Sequence, residues 1–233
     1  LDELGGPNAA GTTINIPLPP LTSEEGFIYA VKELVLPILS DFKPDLIINS
    51  AGQDNHYSDP ITNMNFSAKG YADLTALLGA DIAVLEGGYS IEGALPYVNT
   101  GIILAMAGLD YSYLKEPDYN LSRIRQGPKI DQVIKRIGDR VLENWYERET
   151  LKANLRKRED GRRRMRNIFY DTDNIHETQQ EMILVCDRCA GALRIDSTSS
   201  YMINILAIHI PRNACPECKK KGYDWYQDAD PKR

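Results

Sequence analysis

The chain reads PDLIINSAGQDNH over residues 44–56, and this stretch decides how the sequence around it is interpreted. Residues 45–50 form a short apolar run between a proline and a glycine, which is typical of a strand buried on both faces of a parallel sheet. A second such run, residues 82–85, ends at the pair Gly87 and Gly88. Parallel sheets collect their ligand sites at the carboxyl ends of strands, so the polar residues after each run are candidates for a site.

Helical patterns separate these runs. The segment 22–25 has the spacing of a capping box, and apolar residues follow it at helical period. Further helices are predicted over residues 67–78, 91–107 and 129–145, and a strand over residues 12–16. Alternation of strands and helices predicts an α/β domain with a parallel sheet.

The composition is that of a globular protein with an ordinary core. Of the 233 residues, 42% are hydrophobic and 26% are charged. No apolar run approaches the roughly 18 residues of a membrane span, and no signal peptide is evident, so we expect a cytoplasmic protein without a membrane partner. Residues 1–128 hold 16 acidic and 6 basic side chains, and the remainder holds 17 and 21. This asymmetry predicts two units with different surfaces.

All four cysteines lie in two Cys-x-x-Cys pairs, Cys186 with Cys189 and Cys215 with Cys218. Each pair directs two thiolates at one point, and two pairs complete a closed tetrahedral zinc site of the structural kind. The strand-like run 201–210 between the pairs is typical of the hairpin of a zinc ribbon. Two disulfides or a redox dithiol are the alternative, which the absence of a secretory signal and of a βαβ context disfavours.

A charge-dense segment, residues 148–166, connects the two parts. It is interpreted as a solvated helix, or alternatively as a segment that binds nucleic acid or a partner. Residues 171–180 are polar and are predicted to be a linker. The sequence therefore divides into a domain over residues 1–146, a charged helical extension and linker over 147–180, and a zinc ribbon over 181–233.

Several ordered motifs accompany the opening stretch: TINIPL at 13–18, Asp-Pro at 59–60, Asn-Phe-Ser at 65–67, Gly-Tyr at 70–71 and LEGGYS at 85–90. Together they resemble the histone deacetylase and acetylpolyamine amidohydrolase family over about residues 11–110. The resemblance implies the C-terminal part of an arginase–deacetylase-like α/β domain. It also implies zinc-dependent hydrolysis of an acylated amine, on a protein lysine, a polyamine or a small amine.

The resemblance assigns roles to individual residues. Asp54 matches the family's third ligand of the catalytic zinc, and Tyr89 matches the residue that donates its hydroxyl to the oxyanion. A carboxylate on a loop that leaves a strand is a good zinc ligand, and a directed hydroxyl stabilises the charge that develops in acyl transfer. Gly87 and Gly88 allow close approach of backbone and substrate, and Pro60 lines the substrate channel. The implied cofactors are one catalytic zinc and one structural zinc.

Other residues limit the interpretation. The family's remaining zinc ligands and its paired histidines come from an earlier stretch, and this chain has no histidine before His56. His56 is interpreted as a loop residue beside the site. Gln53 stands where the family often has a bulkier apolar residue, and this departure concerns the substrate preference rather than the chemistry. We therefore expect a fragment of a longer enzyme or a degenerate relative.

Two alternatives to the deacetylase stay open at the sequence level. One is an arginase-like ureohydrolase with two manganese ions. The other is a non-catalytic protein whose ribbon contacts a protein or a nucleic acid.

Overall fold

The computed structural model describes residues 1, 3–6, 8–122, 124–157 and 163–229. Its contacts divide the chain into two compact units. The first contains Leu1 and residues 16–143, and the second contains residues 2–15 and 144–233.

The first unit is an α/β arrangement, as predicted. Its elements are, in order, α1 (Glu24–Ala30), a π-helical segment (Val31–Val35), α2 (Leu36–Phe42), β1 (Ile48–Ala51), α3 (Ala68–Leu78), β2 (Ile82–Leu85) and α4 (Leu95–Met106). Helix α5 (Pro128–Tyr146) begins in this unit, and its last three residues belong to the second. Strands β1 and β2 pair in parallel, with Ile48 opposite Ile82 and Ala51 opposite Leu85. The parallel pairing of the two apolar runs is confirmed.

The core of this unit lies around helices α3 and α4. The Phe66 ring meets Tyr71 edge-on at 4.7 Å between centroids and lies 5.1 Å from Phe27. Val98, on α4, is completely buried in the same cluster. Helix α3 begins where the sequence predicts, because the Ser67 hydroxyl accepts a hydrogen bond from the Gly70 amide at 3.0 Å and caps the helix.

Two expectations for the α/β part of the sequence are wrong. Residues 12–16 form no strand; the prolines at 17, 19 and 20 lack amide donors, and Ile16 packs onto the core from a loop. Strands β1 and β2 are not buried on both faces, since Ile48 is 57% and Leu85 58% exposed.

The second unit is a four-stranded antiparallel sheet with helices. Its elements are α6 (Arg148–Lys157), β3 (Arg163–Tyr170), β4 (Ile175–Leu184), β5 (Ala192–Ser199), β6 (Asn204–His209) and α7 (Pro216–Gln227). The strands neighbour one another in sequence order. The strand-like run before the second cysteine pair thus forms β6.

The segment from 163 to 180, predicted as charged helix and linker, forms instead a β-hairpin. Residues 163–170 pair with residues 175–182 across a polar turn in which Asn174 has a φ of +52°. The charge pattern misled the prediction because Arg164 pairs across the strands with Glu181, which is 4% exposed. Residues 158–162 of the predicted extension and 230–233 of the predicted ribbon lie outside the described residues.

Within the described part of the chain, no helix has both the length and the apolar character needed to cross a membrane.

Candidate active-site loops and a four-cysteine cluster

Two loops follow the carboxyl ends of β1 and β2: residues 52–60 and 86–90. Backbone hydrogen bonds join them directly. The Gln53 amide donates to the Gly87 carbonyl, and the Glu86 amide donates to the Ala51 carbonyl at 3.3 Å. The two candidate loops of the sequence are therefore neighbours at one edge of the parallel sheet.

Asp59 fixes the position of the second loop. One of its carboxylate oxygens accepts a hydrogen bond from the Tyr89 amide at 2.8 Å, and the other accepts from the Ile61 amide at 2.9 Å. The Asp59 residue is only 7% exposed. Both oxygens of this buried carboxylate thus accept hydrogen bonds from backbone amides, and the one from Tyr89 fixes the position of the backbone at that residue. The sequence showed Asp59 only as part of an Asp-Pro motif and did not predict this role.

Asp54 lies half-buried in the first loop, with its carboxylate turned back toward the end of β1. One carboxylate oxygen is 3.2 Å from the position that a Cβ on Gly52 would take. Burial raises the pKa of Tyr71, and the negative charge of Asp54 raises that pKa further, so this core phenol stays neutral. The Asp54 carbonyl accepts a hydrogen bond from the Thr62 hydroxyl, which secures the loop.

Tyr89 presents its side chain at the surface. It is 50% exposed, and its hydroxyl lies 3.0 Å from the position of a Cβ on Gly87. A Cβ on Gly88 would meet the side chains of Leu95 at 2.8 Å and Gln53 at 2.9 Å. The Gly-Gly pair therefore lets the loop pack closely while the phenol stays accessible. Pro60, the predicted channel residue, is exposed.

His56 is completely buried and belongs to a polar chain of four residues. Its Nε2 lies 2.8 Å from a Glu116 carboxylate oxygen, and its Nδ1 lies 2.9 Å from the Ser58 hydroxyl. The Ser58 hydroxyl is in turn 2.8 Å from that of Ser90. His56 is thus a buried anchor beside the loops, and the chain it organises ends at the residue after Tyr89.

Glu116 completes that anchor. The same carboxylate oxygen that faces His56 accepts a hydrogen bond from the amide of Ala68, the first residue of α3. Burial acts to raise the pKa of Glu116, but the hydrogen bonds from His56 and the Ala68 amide outweigh it and lower that pKa. Glu116 lies 60 residues from His56 in no recognisable motif, and no local signal could have found it.

The four cysteines come together in the second unit. Their sulfur atoms all lie within 4.8 Å of one another, and those of Cys186 and Cys215 are 3.9 Å apart. All four are free thiols, well beyond the roughly 2.05 Å of a disulfide. A tetrahedral site with metal–sulfur distances of about 2.3 Å has edges of about 3.8 Å, so this spacing fits one metal ion.

Backbone donors support negative charge on the first cysteine pair. The Arg188 amide lies 3.4 Å from the Cys186 sulfur, and the Gly191 amide lies 3.3 Å from the Cys189 sulfur. Hydrogen bonding from the backbone at Cys215 and Gly191 lowers the pKa of Cys189 to about 6. Four thiols aimed at one point, with amides directed at the sulfurs, form a donor set suited to a soft or borderline cation.

Asp54 does not belong to a comparable set. Among residues 1, 3–6, 8–122, 124–157 and 163–229, the only group of three or more potential ligands close enough to hold a metal is the four cysteines. At Asp54 the described residues thus offer one carboxylate, whereas a catalytic zinc takes about three protein ligands.

Known proteins similar to this chain match its α/β part. Residues 1–105 match the family model of the histone deacetylase domain. A probable deacetylase of Archaeoglobus fulgidus is 47% identical over 132 residues, which cover 53% of this chain and 37% of the relative. The acetoin utilization protein AcuC of Staphylococcus xylosus is 34% identical over 116 residues, or 46% of this chain and 30% of the relative.

A solved structure shows the same fold. The crystal structure of the HDA15 HD domain aligns with a TM-score of 0.51 and 25% identity, over 67% of this chain and 42% of that chain. The chain spans about a third of the length of the two curated relatives. Residues 1–105 are therefore similar to the histone deacetylase domain and to proteins named deacetylases, and the chain shares its fold with a histone deacetylase domain of known structure.

Proposed function

We propose that the first unit forms part of a zinc-dependent deacetylase that hydrolyses the amide bond of an acylated amine. One observation carries this proposal: Asp54 and Tyr89 follow two paired parallel strands, on loops that the Asp59 carboxylate joins. The names of the similar proteins, a probable deacetylase among them, support the same reaction class. An arginase-like reaction has no comparable support.

Each residue has a limited task in this proposal. Asp54 contributes one oxygen ligand to the catalytic zinc, and the other ligands are not among the described residues. Tyr89 donates its exposed hydroxyl to the oxygen that gains negative charge as the amide carbonyl is attacked. Gly87 and Gly88 keep the backbone beside that hydroxyl free of side chains, and Pro60 borders the approach.

The substrate is an acylated amine, and the acidic balance of residues 1–128 favours one that carries positive charge elsewhere. A polyamine acylated at one nitrogen meets that condition through its remaining amines, and an acylated protein lysine meets it through basic residues beside it in the sequence. Turnover of an acetylated peptide and of an acetylated polyamine at low and high salt would separate them, because screening weakens the attraction of the more highly charged substrate most.

The zinc role of Asp54 is tested with Asp54→Ala in the longest protein expressed from the gene. We expect deacetylation to fall at least 100-fold and the zinc content to fall by one ion per chain. Asp45→Ala, which removes an exposed carboxylate from the same unit, should change neither. Full zinc content with normal turnover in Asp54→Ala would exclude the ligand role. A wild-type protein that deacetylates nothing would favour the non-catalytic alternative.

We further propose that the second unit is a zinc ribbon in which Cys186, Cys189, Cys215 and Cys218 hold one structural zinc. The support is the common focus of the four sulfur atoms. Such a closed site leaves no position for a substrate, so its contribution is to folding and to contact with a protein or nucleic-acid partner. The cytoplasmic location stays a prediction.

A further inference from the structure

We propose that Asn8 is a positioning residue for the four-cysteine metal site. This inference rests on the zinc site proposed above and adds a residue to it from the opposite end of the sequence. Asn8 lies 178 positions before Cys186, yet both belong to the second unit.

The side chain of Asn8 bridges the two ends of the first cysteine loop. Its Nδ2 donates to the Ala190 carbonyl at 2.8 Å and to the Leu184 carbonyl at 3.2 Å. Its Oδ1 lies 3.4 Å from the amide of Cys186. One amide group thus contacts backbone just before Cys186, at Cys186 itself, and just after Cys189.

The ends of that loop are unusually close to each other, which explains why one small side chain can span them. Gly191 has a φ of +75°, and a Cβ on it would lie 1.8 Å from the Leu184 carbonyl oxygen and 2.8 Å from Asn8 Nδ2. Any other residue at this position would push the loop ends and Asn8 apart. Gly191 and Asn8 together therefore keep the two ends of the cysteine loop close to each other.

Asn8 is itself held in place by a tight loop. The Gly11 amide donates to the Leu4 carbonyl at 2.6 Å, and the Ala9 amide donates to the Gly6 carbonyl at 2.9 Å. Ala10 is 4% exposed, and a Cβ on Gly11 would lie 2.4 Å from the Cβ of Arg148. The loop thus packs within the second unit, and Asn8 reaches the cysteine loop without a large entropic cost on metal binding.

A second tie to the same loop is weaker. Arg156 forms an ion pair with Asp187 at 2.5 Å, but the Asp187 side chain is 89% exposed, and exposed ion pairs contribute little. Arg156 also donates one long hydrogen bond, of 3.4 Å, to the Cys186 carbonyl. Asn8 contacts the backbone of the same loop at three points, and hydrogen bonds that orient the ligand loop of a metal commonly change affinity 10–100-fold. The loss of Asn8 should therefore lower the metal affinity.

The test uses the 233-residue chain and measures zinc affinity by competition with a chromophoric chelator. We expect Asn8→Ala to weaken zinc binding about 10-fold. Asn213→Ala is the matched control, since Asn213 is exposed and lies two residues before Cys215. It should bind zinc as the wild type does. Affinity within twofold of wild type in Asn8→Ala would overturn the inference.

Cobalt substitution separates positioning from a general loss of stability. In Asn8→Ala the thiolate-to-cobalt charge-transfer bands should shift, because Cys186 no longer has a fixed orientation, and in Asn213→Ala they should not. If Asn8→Ala fails to fold, Asn8→Ser, which keeps a small polar side chain, takes its place under the same criteria. A wild-type chain that binds no zinc would refute the proposed ribbon itself, whereas a wild type that binds and an unchanged variant refute only the role of Asn8.

Discussion

The carboxylate of Asp59 accepts a hydrogen bond from the backbone amide of Tyr89 at 2.8 Å and thereby joins the loops that follow β1 and β2. The Asp59 side chain is almost completely buried, and its two oxygens accept hydrogen bonds from the backbone amides of Tyr89 and Ile61. Hydrogen bonds of this kind to a carboxylate are strong, so they hold both backbone segments in place. The position of the Tyr89 phenol thus depends on a residue 30 positions earlier.

This dependence predicts the effect of Asp59→Ala. The change removes the acceptor, so the Tyr89 backbone gains freedom and the phenol is no longer aligned; we expect kcat for deacetylation to fall about 10–100-fold with a smaller change in KM. Steady-state kinetics on the longest protein expressed from the gene measures this. Asp118→Ala removes an exposed carboxylate and serves as control. An unchanged kcat in Asp59→Ala would show that the loop holds its position without Asp59.

The buried pair of His56 and Glu116 should dominate the stability of the first unit. Glu116→Ala leaves His56 and the Ala68 amide without their partner, so the free energy of unfolding should fall by about 3 kcal/mol or more. Denaturant unfolding followed by far-UV circular dichroism measures the loss. Glu92→Ala, at an exposed position, should change it by less than about 0.5 kcal/mol. Equal effects of the two changes would contradict the assigned role.

The same pair predicts a dependence of stability on pH. The pKa of Glu116 is lowered from its ordinary value of 4.5 in the folded protein, so its contribution is complete above pH 4.5 and is lost as the pH falls through the lowered pKa. The wild-type free energy of unfolding should therefore decrease below pH 4.5. Glu116→Gln, which cannot ionise, should show a shallower decrease over the same range. Parallel curves for the two proteins would assign the acid sensitivity to other groups.

The zinc ribbon predicts a stoichiometry that the chain alone can show. Purified wild-type chain should hold one zinc ion, and Cys218→Ser should hold less than a tenth of that amount, because the four-thiolate site loses its most buried ligand and keeps only three. Metal analysis measures both. Trp145 and Trp225, the two tryptophans of the sequence, lie in the second unit, so their fluorescence should report its loss of structure. Equal zinc in both proteins would contradict the ribbon.

Patterns that depend on neighbours in sequence were predictable. The hydroxyl of Ser67 caps α3, β2 begins and ends where the apolar run does, and the cysteine pairs converge as their spacing indicates. For the helix cap, the strand and each cysteine pair, the information lies within about ten residues, where hydrogen-bond geometry and side-chain periodicity act directly. The meeting of the two cysteine pairs, 29 positions apart, was predictable because four thiolates complete one metal site.

Contacts between distant residues that belong to no motif were not predictable. Glu116 pairs with His56 across 60 positions, and Asn8 reaches the cysteine loop across 178. The hairpin of β3 and β4 was mistaken for helix and linker because cross-strand pairing of Arg164 with Glu181 satisfies charges that looked solvated in the sequence. Such contacts have no signature in one chain, since tertiary packing overrides local preference.

The most direct test of the deacetylase account is the turnover of an acetylated lysine peptide by Tyr89→Phe, measured in the longest protein expressed from the gene. The change removes one hydroxyl and keeps the ring, so the account predicts unchanged zinc content and a kcat lower by about 100–1,000-fold, as for the loss of one oxyanion donor. A kcat within twofold of wild type, with zinc retained, would contradict it.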